Sequence, residues 1–189
     1  MTRIAVVAGA LLGVLSRVEE TTDGLSLGVS ANATWLGVAF AAGVLQRQAP
    51  PLRGAAAGAL ALATANLAYY AWIAATEPGV ALASVAGSPL SWLALGIGGG
   101  AVFGAAGRVW TQAVGITRVL AGLPLAGVCI AEGIPAVLGG PATDGVALVV
   151  GAALPVASGR GTRERALGAA LSAGVIAVAL SGRLESLMP

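Results

Sequence analysis

Residues 90–107 read LSWLALGIGGGAVFGAAG, a run with no charged residue. About 20 apolar residues cross the hydrocarbon of a bilayer as a helix, and this run has the length and the character. Within it Gly96, Gly100 and Gly104 recur every four residues and so share one helix face. Such a stripe lets two backbones approach closely. Gly9 and Gly13, and Gly54 and Gly58, repeat the spacing elsewhere. The simplest use of these stripes is packing within the chain; a homodimer interface is the alternative.

Outward from this run, six more apolar stretches follow the same pattern. They are Ile4–Val18, Val29–Leu45, Gly54–Ala75, Val119–Leu138, Val146–Ala157 and Ala166–Leu180. In chain order the first, sixth and seventh are short, and six spans result if one is re-entrant. No small-x-small cleavage site precedes Glu19-Glu20, so the first stretch reads as a span, not a signal peptide. The expected fold is all-α: a polytopic transmembrane bundle of about seven helices in a single domain over residues 1–189.

Composition points the same way. The 189 residues are 57% hydrophobic and 10% charged, with a mean hydropathy of +0.90. Soluble domains carry about 25% charged residues, so the expected solvent is lipid. There is no His, there is one Cys, and all ten basic residues are Arg. A Ser-His-Asp or Cys-His nucleophile cannot be built from this set. Structural zinc and a retinal Schiff base are excluded likewise, and no P-loop motif is present. The expectation is no metal and no cofactor. A net charge of +2 spread along the chain is no nucleic-acid signal. All-Arg usage with abundant Ala, Gly and Pro suggests a GC-rich bacterial coding sequence, and hence the bacterial inner membrane.

The charges sort by side. Arg3, Arg47, Arg53, Arg108, Arg118, Arg160, Arg163 and Arg165 fall before helix 1 or between alternate helices. The positive-inside rule makes those segments cytoplasmic. Glu19, Glu20, Asp23, Glu77, Asp144 and Glu185 then fall outside, with Arg17 and Arg183, and Glu164 falls inside. The N-terminus is predicted inside and the C-terminus outside.

Glu132 escapes that sorting. It lies inside an apolar segment, with Cys129 one turn earlier and Pro124 and Pro135 on either side. An intramembrane carboxyl is costly and marks a functional site by default. In an apolar pocket it would hold its proton and could donate it. The alternative is a structural hydrogen bond, to the carbonyl freed by Pro135 or to Asn66. At the same outer level lie Asn32 and Trp35, then Asn66, Tyr69, Tyr70 and Trp72, then Trp92. An interfacial aromatic belt accounts for Trp72 and Trp92. Asn is no belt residue, so Asn32, Asn66 and Tyr70 read as a lined pocket. Glu77 and Asp144 are the candidate bases; Asp144 with Thr143 also suits a helix N-cap.

Several of these pieces carry a resemblance. Asn32-x-x-Trp35-Leu36, Phe40-x-x-Gly43, Tyr69-Tyr70-Ala71, Phe103-Gly104-x-x-Gly107-x-x-Trp110 and Glu132-Gly133 resemble an uncharacterised family of small bacterial membrane proteins. More loosely, the size, helix count and buried acid resemble membrane-bound terpene cyclases of the meroterpenoid and indole-terpenoid kind. That likeness implies a metal-independent cyclase acting on an isoprenoid or prenylated aromatic. Glu132 would be the general acid, with Glu77 or Asp144 quenching the cation. Asn32, Trp35, Asn66, Tyr69, Tyr70, Trp72, Trp92 and Cys129 would bind a lipophilic substrate. The small-residue spacing of Ala5, Gly9 and Gly13 is similar to that in substrate-binding subunits of vitamin-type, energy-coupling transporters. A non-catalytic membrane partner is the third class.

The charge sorting makes one direct prediction. A C-terminal alkaline phosphatase fusion should be active, and a C-terminal green fluorescent protein fusion dark. The reverse result would exclude seven spans with the C-terminus outside.

Overall fold

The structure of the protein, a computed structural model, describes residues 2–22, 28, 31–77, 87–138 and 143–185. The side chains of residues 87, 88, 136, 137, 143, 144 and 182–185 lie outside that description. Among the described residues there are seven helices and no strand. They are α1 (Thr2–Thr21), α2 (Asn32–Val44), α3 (Pro51–Thr76), α4 (Gly87–Gln112), α5 (Ile116–Val137), α6 (Thr143–Ser158) and α7 (Thr162–Glu185). Each expected apolar stretch thus contains one of these helices or lies within it over its described residues. The chain forms two compact units, Met1–Thr111 and Gln112–Pro189.

Among the described residues, four helices are long and apolar enough to cross a membrane: α3, α4, α5 and α7. Several helices differ in length from the sequence reading. The seventh helix, read as short, runs for 24 residues, because its first turn extends through the polar stretch Thr162–Arg165. The second, read as Val29–Leu45, keeps 13 residues. At 1.5 Å per residue that is about 20 Å, less than the roughly 30 Å of a hydrocarbon core.

In the first unit the inward helix faces carry small residues. Ala39, Ala61 and Ala65 have no exposed surface, and Ala5, Ala42 and Ala57 are buried beside them. Large apolar side chains point outward instead. On α1, Ile4, Val7, Leu11 and Leu15 are exposed and recur every three or four residues. The opposite face buries Ala5, Gly9, Leu12, Gly13 and Ser16. Leu90, Leu95, Ile97 and Val102 are exposed on α4 in the same way. A patch of this extent is unfavourable in water, whereas lipid tails cover it without penalty.

The glycine stripes are the contacts between helices. A Cβ at Gly9 would fall on the Ala61 carbonyl, and one at Gly13 on the Ala65 carbonyl, so α1 lies directly against the α3 backbone. Gly58 faces Gly100 and Gly54 faces Gly104, joining α3 to α4. Gly43 meets the Gly104 carbonyl and Gly107 meets that of Phe40, joining α2 to α4. Each stripe found in the sequence is thus used within this unit.

Arg108 departs from its expected place in a loop. Helix α4 continues to Gln112, and Arg108 lies inside it at 1% exposure. Its Nε donates to the Ala49 carbonyl at 2.5 Å, and Nη1 donates to Thr111 Oγ1 at 3.2 Å. Its stem crosses Gly54, where an added Cβ would stand 2.5 Å from Arg108 Cβ. The guanidinium therefore satisfies backbone in the link between α2 and α3.

In the second unit α5 packs on α6 and α7, and α6 packs on α7. Gly133 meets Leu148, Gly151 meets Ala126 and Ile130, and Gly168 meets the Pro155 carbonyl. Ser172 Oγ donates across to the Ala152 carbonyl at 3.0 Å. Pro124 and Pro135 lie inside α5, and Pro155 inside α6. Each proline leaves the carbonyl four residues earlier without its helical donor.

Two glycine substitutions should separate contact from conformational freedom. Gly58→Val should destabilise the protein by at least about 1–3 kcal/mol through overpacking. Gly98 has open space around its Cβ position, so Gly98→Ala should be neutral or stabilise by up to about 1 kcal/mol. Thermal unfolding of both variants in detergent, followed by tryptophan fluorescence, measures the difference.

Candidate functional site

A cavity of about 480 Å³ opens among the four helices of the first unit. Helix α1 contributes Glu20; α2 contributes Asn32, Trp35 and Leu36. Helix α3 contributes Leu62, Asn66, Tyr69 and Tyr70, and α4 contributes Trp92, Leu95, Gly96, Gly99 and Phe103. The helical period makes this wall, since on each helix the lining residues are three or four apart. Two glycines create the space. A Cβ at Gly96 would stand 2.6 Å from Asn66 Nδ2, and one at Gly99 would stand 3.4 Å from Leu36 Cδ2.

The rings are held edge to face. Trp35 and Tyr69 have centroids 6.4 Å apart at an interplanar angle of 72°. Tyr69 and Tyr70 are 5.2 Å apart at 86°. Such pairs contribute about 0.5–1.5 kcal/mol beyond their burial. Trp35 Nε1 donates to Ser16 Oγ at 3.0 Å, which fixes the indole against α1. Asn66 is 6% exposed, and its Nδ2 donates to the Leu62 carbonyl at 2.9 Å. Its amide oxygen has no hydrogen bond among the described residues.

A charged network adjoins the rings. Tyr69 Oη donates to Glu20 Oε2 at 2.5 Å, and Arg17 Nη1 donates to the same oxygen at 3.2 Å. Arg17 also pairs with Glu77, just past the end of α3. One guanidinium thus serves two carboxylates, which leaves an excess of negative charge. The neighbouring Glu19 is buried and accepts from the Gly28 amide at 2.6 Å. The Gly28 carbonyl accepts from Thr34 Oγ1 at 2.6 Å, tying this corner to the first turn of α2. Gly28 takes a positive φ of 67°, which glycine adopts without strain.

The residues singled out in the sequence divide among several places. Asn32, Trp35, Asn66, Tyr69, Tyr70 and Trp92 line the cavity together. Trp72 is 39% exposed on α3 and is not part of the wall. Glu77 belongs to the ion pair with Arg17 rather than to the wall. Glu132 and Cys129 belong to α5 in the second unit, where Cys129 is buried and Glu132 half-buried. Asp144 lies on α6, and its side chain falls outside the described residues. Asp23 lies outside them altogether.

Sequence reasoning passed over Glu20 and Arg17. Both were absorbed into the sorting of charges by side, although their i, i+3 spacing already places them on one helix face. Leu62, Gly96 and Gly99 carry no chemical signal of their own.

Comparison with known proteins supplies the relationship. Residues 2–187 match a Family of unknown function (DUF6518), and the chain belongs to that family. No curated protein and no solved structure matches it. The looser likeness to terpene cyclases finds no support in these comparisons.

The network makes a stability prediction. Arg17→Gln leaves Glu20 and Glu77 without their shared cation. For a part-exposed pair the loss should be modest, about 1 kcal/mol or less. Added salt should narrow the gap to wild type, because screening weakens the pair it removes. Melting temperatures at low and high salt test both points.

Proposed function

We propose that this chain is a multi-pass membrane protein of the bacterial plasma membrane that binds a lipophilic small molecule in the cavity of its first unit. The observation that carries this reading is the cavity wall. It combines Trp35, Tyr69, Tyr70, Trp92 and Phe103 with Asn32, Asn66 and Glu20. A mostly apolar hollow of a few hundred Å³ with a few converging polar groups is the usual form of a small-molecule site. The acids Glu19, Glu20 and Glu77 lie at the cavity's end of the unit. Arg108 and the α2–α3 link, which carries Arg47, lie at the far ends of those helices. With arginines inward, the cavity opens on the outer side.

Binding without conversion fits these groups better than acid-initiated cyclisation does. A cyclase of that kind needs a proton donor on the wall. Among the described residues the carboxyl on the wall is Glu20, which accepts from both Tyr69 and Arg17 and so is arranged as an acceptor. Glu132 belongs to the other unit. An outward-facing site of this type suits the substrate-binding subunit of a transporter.

The test uses the full chain in lipid nanodiscs, with Trp35 and Trp92 as fluorescent reporters and a prenylated indole as probe. The probe should quench wild-type fluorescence saturably. Gly99→Leu, which fills the cavity, should abolish that response. Asn66→Ala should weaken it roughly five- to tenfold, the worth of a buried hydrogen bond. Glu132→Gln should bind as wild type does. Cyclised product that disappears in Glu132→Gln would replace this reading with the cyclase.

A further inference from the structure

Among the described residues, the charge on the cavity wall is negative. Glu20 offers a carboxylate, Asn66 an amide oxygen with no partner among the described residues, and Asn32 a second amide. No basic side chain is among the described lining residues. Arg17 is the nearest guanidinium in the network, and it is shared between Glu20 and Glu77, so one carboxylate charge stays uncompensated. The remaining wall is aromatic and aliphatic. The faces of Trp and Tyr rings attract cations, more strongly where water is excluded. An anion would meet repulsion from Glu20 and no cationic side chain among the described lining residues. A cation is drawn by the carboxylate and by the ring faces alike.

Resting on the binding reading above, we propose that the ligand is a lipophilic organic cation. Its positively charged nitrogen lies at the Glu20 end, against the rings of Trp35, Tyr69 and Tyr70. Its apolar body extends along Leu62 and Phe103. A cavity of about 480 Å³ holds an aryl-alkyl ammonium of that build. The Tyr69–Glu20 hydrogen bond has a role in this site. It orients the carboxylate beside the ring that meets the cation, so charge and π-face act on the same atom.

The experiment compares two probes of one shape. One is 4-phenylbutyl-trimethylammonium; the other has a tert-butyl group in place of trimethylammonium and is neutral. Both are measured on the full chain in nanodiscs by tryptophan quenching, with empty nanodiscs correcting for partition into lipid. The cation should bind about tenfold tighter or more, as expected for a desolvated cation–π site with a carboxylate beside it. Glu20→Gln should remove that preference. Equal affinities in wild type, or a preference that survives Glu20→Gln, would overturn the cation while leaving the cavity occupied. Binding of both probes that is indifferent to Gly99→Leu would overturn the cavity reading itself. Should Glu20→Gln fail to fold, the wild-type preference is measured at rising salt. It should shrink with screening, and a constant preference would overturn the proposal.

Discussion

Backbone-to-backbone contact is the constraint on which the first unit rests. Lipid tails are as apolar as leucine, so hydrophobic burial gives two membrane helices no reason to associate. What remains is dispersion at close range, and its reach is short. Glycine on one helix facing a carbonyl on the next brings the axes near enough for that force to act. Gly9 and Gly13 do this for α1 on α3, Gly54 and Gly58 for α3 on α4, and Gly43 and Gly107 for α2 on α4. Remove the stripes and the helices remain, each stable in itself, with little to hold them together.

The cavity follows from the same device. Gly100 and Gly104 clamp α4 onto α3. Nearer the start of α4, Gly96 and Gly99 continue the small-residue face. There the facing positions are Asn66, Leu36 and the aromatic cluster, not further glycines. The helices stay close together, but their side chains do not fill the space between them. Packing at one end and a ligand-sized hollow at the other come from a single periodic pattern whose partner residues change along its length.

The fold is largely legible in the sequence, because uncharged runs and arginine punctuation mark helices in a lipid solvent. Helix ends are less legible. Apolarity reports the lipid-covered portion of a helix, whereas the hydrogen-bond ladder runs on into polar residues. Arg108 shows the difference. As a charge it looks like a loop residue, yet its long stem and five donors let it remain in the helix and serve the Ala49 carbonyl. The candidate site divides in the same manner. Asn32, Asn66, Tyr69 and Tyr70 stand out because polar and aromatic types at helical spacing are unusual in so apolar a chain. Glu20 does not stand out, since its topological role already accounts for it. Its place beside Tyr69 emerges only when α1 is laid against α3.

Helix α1 carries its large residues outward, at Ile4, Val7, Leu11 and Leu15, and its small ones inward, at Ala5, Gly9 and Gly13. In a water-soluble protein mutational tolerance follows the opposite arrangement. There the bulky inward positions are fixed by volume and the outward ones drift among polar types. Here the outward face can exchange isoleucine, leucine, valine and phenylalanine at little cost, while the inward face admits scarcely a methyl group. Neutral drift along α1 would therefore record the outward side as its variable stripe, and the invariant stripe would be the one with the least side chain.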